Sequence, residues 1–118
     1  MNVRRALVLC AALVHAGCAV MARPGDVELA AGLRVYERGR FADAAQYLQR
    51  GIDLGLSEPD QVVAHKYLAF IHCADGREAQ CRDEFRLAIA VNPKFNLDPA
   101  EAGHPSWGPA FRAVRGVR

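Results

Sequence analysis

The chain has 118 residues, enough for one small domain. Its formal charge is +2, but Arg4 and Arg5 fall in a leader-like N-terminal segment, and thirteen basic residues then face thirteen acidic ones. Such mixed, balanced charge provides no basic stripe for nucleic acid, and no apolar run reaches the roughly 18 residues of a permanent transmembrane helix.

The first element is a targeting segment. Met1 to Arg5 is a short basic start, Ala6 to Val14 is an apolar core of secretory length, and the small residues Ala16 and Gly17 precede Cys18. Val14-His15-Ala16-Gly17-Cys18 resembles a bacterial lipobox, in which the cysteine is lipidated and becomes the new N-terminus. His15 stands where an apolar residue is usual. Two alternatives are ordinary cleavage after Ala22, at the small-residue site Val20-Met21-Ala22, and an uncleaved anchor. The lipobox reading makes residues 1–17 a lipoprotein signal peptide and 18–25 a linker. Ala19 after the cysteine favours the outer membrane, on its periplasmic face; ordinary cleavage implies a soluble periplasmic protein. Cys10 is lost with the leader.

Two helical hairpins follow, about residues 25–58 and 62–95. In the first, Val27, Ala31, Leu33 and Val35 belong to an opening helix, Gly39 breaks it, and Phe41, Ala44, Ala45, Leu48 and Ile52 belong to the returning helix, which Gly55 ends. In the second, Val62, Val63, Tyr67, Leu68, Phe70 and Ile71 leave the opening helix apolar on nearly every side. That predicts a helix covered on two faces. Gly76 breaks it. Cys81, Phe85, Ala88 and Ile89 then recur at i, i+4, i+7 and i+8, and Asn92-Pro93 stops the helix. Superposing Gly39 on Gly76, an offset of 37 residues, pairs Gly32 with Ala69, Ala44 with Cys81, Leu48 with Phe85, Gly51 with Ala88 and Ile52 with Ile89. Ser57-Glu58-Pro59-Asp60-Gln61 reads as a polar linker that absorbs the surplus residues.

These residues resemble the tetratricopeptide repeat, a helix pair of about 34 residues. Gly32, Tyr36, Gly39 and Ala44 fall at its small, aromatic, turn and small positions, and the second copy supplies Ala69, Gly76, Cys81, Phe85, Ala88 and Pro93. Glu28 and His65 stand where tryptophan or leucine is usual. The resemblance implies a groove lined by one face of each opening helix, with Tyr36, His65 and His72 as partner-binding candidates. Two repeats are fewer than the three normally needed, so residues 96–118 are expected to cap the stack. Asp98-Pro99-Ala100-Glu101 has a capping-box pattern, and Ser106 is expected to open a last helix with Trp107, Phe111 and Val114 at i, i+4 and i+7. Trp107 and Phe111 either cover the second repeat or stay exposed for a partner.

Cys73 and Cys81 flank the Gly76 turn, where antiparallel helices face each other. They are a candidate disulfide or two packed thiols. A zinc site built from His65, His72, Cys73 and Cys81 competes, without the short ligand spacings that make such a site distinctive, and no metal or other cofactor is expected. His104 reads as a loop residue. No Gly-rich phosphate loop, nucleophile elbow or HExxH helix is present.

The runs Lys66-Tyr67-Leu68-Ala69-Phe70-Ile71-His72-Cys73, Gly76-Arg77-Glu78, Gln80 to Arg86, Asp98 to Pro105 and Trp107-Gly108-Pro109 with Phe111 are similar to tetratricopeptide-like lipoproteins of type VI secretion gene clusters, the TssQ type, over about residues 26–115. The resemblance implies an all-α, non-enzymatic scaffold that docks a protein partner of a secretion complex, without nucleic acid or a small-molecule substrate. Alternatives are a pilot lipoprotein for an outer-membrane secretin or pilus component, and a small thiol or metal enzyme using Cys73, Cys81 and His72. If the lipobox is used, mass spectrometry of the exported chain finds an acylated Cys18 at the N-terminus and Cys18→Ser abolishes that species; an unmodified N-terminus at Arg23 gives the opposite result.

Overall fold

A computed structural model describes residues 21–116. The signal peptide, Cys10 and Cys18 lie outside the described residues. The described chain is all-α: α1 Asp26–Glu37, α2 Phe41–Leu54, α3 Glu58–Ala74, α4 Glu78–Val91, α5 Pro99–Ala102 and α6 Gly108–Arg115. There is no strand among the described residues, nor any helix long and apolar enough to cross a membrane.

Helices α1 and α2 pack against each other, as do α3 and α4, and α2 joins the pairs by packing on α3. Both inter-helix turns use glycine for the same reason. Gly39 and Gly76 take φ of 77° and 75°, a left-handed conformation that costs other residues about 1–2 kcal/mol. Gly32 has a different role: a Cβ there would lie 3.0 Å from the Leu48 side chain, so its absence lets α1 and α2 approach.

Residues 57–61 are not a linker. Ser57 is the N-cap of α3, its hydroxyl accepting from the Asp60 amide at 3.3 Å, and Pro59 sits in the first turn, where its missing N–H has no intrahelical partner to lose. The surplus residues lengthen α3 to 17 residues, against 12 in α1.

Helix α3 is covered on two sides. Ala64, Leu68 and Ile71 meet Leu29, Ala44, Leu48 and Leu56 of the first hairpin. Val62, Ala69 and Phe70 join Cys81, Phe85, Ala88, Phe95, Leu97, Ala110 and Phe111 on the other side. The 37-residue register holds in burial: Gly32 and Ala69, Ala44 and Cys81, Leu48 and Phe85, and Gly51 and Ala88 are all buried. Val27, Ala31, Leu33 and Val35 all lie in α1 as expected, but they are not its buried side. Leu29 and Gly32 face the core, while Val27 is 74% exposed. Its counterpart 37 residues later, Ala64, is fully buried because a preceding helix pair covers it; nothing among the described residues covers α1 in that way.

The C-terminal segment closes the far side. Asp98 and Glu101 form a capping box around α5. Helix α6 begins at Gly108 rather than Ser106 and packs on α4. Phe111 is only 4% exposed, with its ring 5.1 Å from Phe85 and 5.7 Å from Phe95. It is a core residue more than an exposed contact, because it lies on the face of α6 that meets α4, and only its edge reaches the surface.

Phe111→Ala should lower unfolding free energy by about 3–5 kcal/mol and Ala44→Leu by about 1–3 kcal/mol through overpacking, measured by chemical denaturation. Leu87→Ala, on a residue 47% exposed, should change it by no more than about 0.5 kcal/mol.

Candidate partner-binding face

The face shared by α1, α3 and the C-terminal segment is paved with rings. Phe41 lies 5.1 Å from Tyr36, Tyr36 lies 4.8 Å from Tyr67, and Tyr67 lies 5.6 Å from Phe70. The indole of Trp107 stacks on Phe70 at 4.1 Å, and His104 stacks on Trp107 at 3.5 Å with the ring planes 5° apart. Lys66 bridges this row: its ammonium lies 5.1 Å from the Tyr67 ring centroid and 5.8 Å from that of Phe70, and it donates to Glu101 at 3.0 Å. Trp107 Nε1 donates to the Glu101 carbonyl at 2.9 Å. The C-terminal segment is thus fastened to α3 by an ion pair and a ring stack, and the indole hydrogen bond ties the segment to itself.

Of the five residues singled out as partner contacts, Tyr36 lies on this face, half-buried between Phe41 and Tyr67. Burial, then Tyr67 and the Glu101 carboxylate, raise its hydroxyl above the ordinary 10.0, so it stays a neutral donor at physiological pH. Trp107 belongs to the row, but both of its faces are taken, by Phe70 and His104. His65 is corrected. It is 8% exposed, and its Nδ1 lies 2.7 Å from Glu84; facing a carboxylate, that nitrogen carries the proton and donates. The reason is helical spacing. His65, Ala69 and His72 fall at i, i+4 and i+7, the stripe of α3 that meets α4. His72 lies near the turn at the end of that stripe, half-buried, its Nδ1 accepting from Arg77 Nε at 3.1 Å. Burial, then the Arg77 charge, lower its pKa below the usual 6.5, against smaller opposing pulls from Glu84 and Asp75.

Cys73 and Cys81 face each other across the Gly76 turn with Cα atoms 5.2 Å apart, their sulfurs bonded. Bonded to each other, the sulfurs supply neither a thiolate nucleophile nor a zinc ligand. The set His65, His72, Cys73 and Cys81 does not converge on one point, and no group of three or more His, Cys, Asp or Glu residues placed to hold a metal occurs among the described residues.

Sequence reasoning missed Lys66 and Tyr67 as half-buried members of this face. A lysine inside an apolar run was the available signal: with Val63, Tyr67 and Phe70 it forms a stripe, and its ammonium needs water or a carboxylate.

No protein-family model matches the chain, and comparison with curated proteins and with solved structures finds no match.

Two outcomes follow from this geometry. Reducing the Cys73–Cys81 bond, or replacing both residues with alanine, should lower stability by about 2–3 kcal/mol, the loop-closure value for a short loop, read from denaturation with and without reductant. The lowered pKa of His72 has a sign: the unfolded chain takes up the proton first, so acidification below about 6.5 destabilises the fold through this residue, and above that pH the effect is absent. His72→Asn should remove that component, so that the pH dependence of the difference between the two stability–pH curves is confined to pH below about 6.5.

Proposed function

We propose that this chain is an adaptor that works by protein–protein contact, built as two tetratricopeptide-like hairpins with a C-terminal cap. The observation that carries this reading is the 37-residue recurrence of burial across α1–α2 and α3–α4. Stacked hairpins of this kind use one surface of their opening helices for recognition. Here that surface is the ring-paved face with Tyr36, Lys66 and Tyr67, and the histidine stripe lies against α4 instead. The half-buried Tyr36 and Tyr67 match the composition of binding hot spots, which are rich in Tyr and Trp.

The setting we propose is the periplasmic side of the outer membrane, with a lipid on Cys18, as an accessory of a type VI secretion machine. The leader-like N-terminus and the similarity over residues 26–115 support this, and a joined Cys73–Cys81 pair is compatible with an exported chain.

A photo-crosslinking amino acid in place of Tyr36 should capture a component of the secretion machine in cells that assemble it. The same group in place of Arg86, an exposed residue of α4, should not. Capture from position 86 and none from position 36 would sink the assignment of this face.

A further inference from the structure

We propose a second binding site, separate from the ring-paved face: the cleft between α5, α6 and the chain around Asn96 takes a carboxylate side chain from an acidic, partly apolar segment of a protein partner. The cleft has a volume of about 310 Å³ and is lined by Asn96, Ala102, Phe111, Arg112 and Arg115, among others. Arg112 and Arg115 are three residues apart on α6, so their side chains leave the same side of the helix. Each is held by one contact: Arg112 Nη1 donates to the Ala102 carbonyl at 3.2 Å and Arg115 Nη1 to the Pro93 carbonyl at 3.1 Å.

A guanidinium carries five N–H donors. One per arginine is engaged with a carbonyl, and most of the rest remain for a ligand. Arg40, Arg50, Arg82 and Arg86, along α2 and α4, each pair with a carboxylate. Among the described residues no carboxylate pairs with Arg112 or Arg115, and none lines the cleft. The site is therefore positive, concave and partly preorganised, since side chains already resting on carbonyls lose less freedom when a ligand arrives. The planar fork of arginine matches a carboxylate in two parallel hydrogen bonds. Ala102 and Phe111 give the recess an apolar wall, which suits an apolar neighbour of that carboxylate. A recess of this size admits a side chain on a protein segment, whereas the headgroups of a membrane form a broad surface that meets it only at its rim.

The test is titration of the intact, isotope-labelled protein with acetyl-Leu-Glu-Leu-amide, with acetyl-Leu-Gln-Leu-amide as the neutral control, followed by amide resonances. The expected result is saturable shifts centred on residues 96–97 and 108–116. Binding of the acidic probe should be about tenfold tighter than that of the control, as expected for hydrogen bonds to a charged group, and should weaken as salt is added. Arg112→Gln with Arg115→Gln retains a donor for each carbonyl but removes both charges, and should abolish the preference while circular dichroism keeps its helical signal. If that variant loses its helical signal, Arg112→Lys with Arg115→Lys keeps the charges, loses the fork, and should weaken the acidic probe several-fold. Equal binding of the two probes by the unaltered protein overturns the proposal. So does a result in which phosphatidylglycerol vesicles, but neither peptide, shift these resonances.

Discussion

Helix α3 has no solvent side wide enough to be stable alone, and that constraint organises the molecule. It presents Ala64, Leu68 and Ile71 to the first hairpin and Val62, Ala69 and Phe70 to α4 and the C-terminal segment. Burying one such side chain is worth about 1.5–3 kcal/mol, so neither face can be left in water without a large fraction of a small domain's stability being lost. Each neighbour of α3 has a matching requirement. Helix α2 needs α3 to cover Leu48, and α4 needs both α3 and α6 to cover Phe85.

The cap solves the second half of that problem with polar precision. A purely apolar cap could slide along α3. Lys66–Glu101, with both side chains about four-fifths buried, sets its position, and the Trp107 Nε1 bond to the Glu101 carbonyl holds the indole fixed within the cap. A partly buried ion pair of this kind contributes little net stability, because desolvation offsets much of the attraction; its effect is on register. The ring contacts supply the favourable energy, about 0.5–1.5 kcal/mol for each well-placed aromatic pair beyond the area buried. His104, which reads as a loop residue in the sequence, becomes the outer leaf of the Phe70–Trp107 stack.

Charge is handled differently along α2 and α4 than on α6. Along α2 and α4, arginines are matched locally to carboxylates three or four residues away or on a neighbouring helix. On α6, Arg112 turns instead to the Ala102 carbonyl at the end of α5, and Arg115 to the Pro93 carbonyl in the chain after α4. The first satisfies a helix terminus that would otherwise need water, and the two together leave a concentration of positive charge beside an apolar recess.

By itself the sequence determined the local elements. Helical spacing of Phe85, Ala88 and Ile89, glycines at 39 and 76, and Pro93 after Asn92 are short-range signals, and the hairpins follow from them because backbone geometry is decided within a few residues. The 37-residue register was legible for the same reason. What only the tertiary structure decided was which side of each helix meets a neighbour. Val27 and Ala64 occupy equivalent positions, yet one is exposed and the other buried, since burial depends on what precedes each hairpin in space. His65 and Tyr67 are two residues apart; His65 turns to Glu84 inside the molecule and Tyr67 to the ring-paved face. The start of α3 at Glu58 was hidden because Ser-Glu-Pro-Asp is equally good as a turn and as a helix cap. The choice between them rests on whether Val62 and Ala64 find a core to enter, which is a property of the packed molecule and not of the local chain.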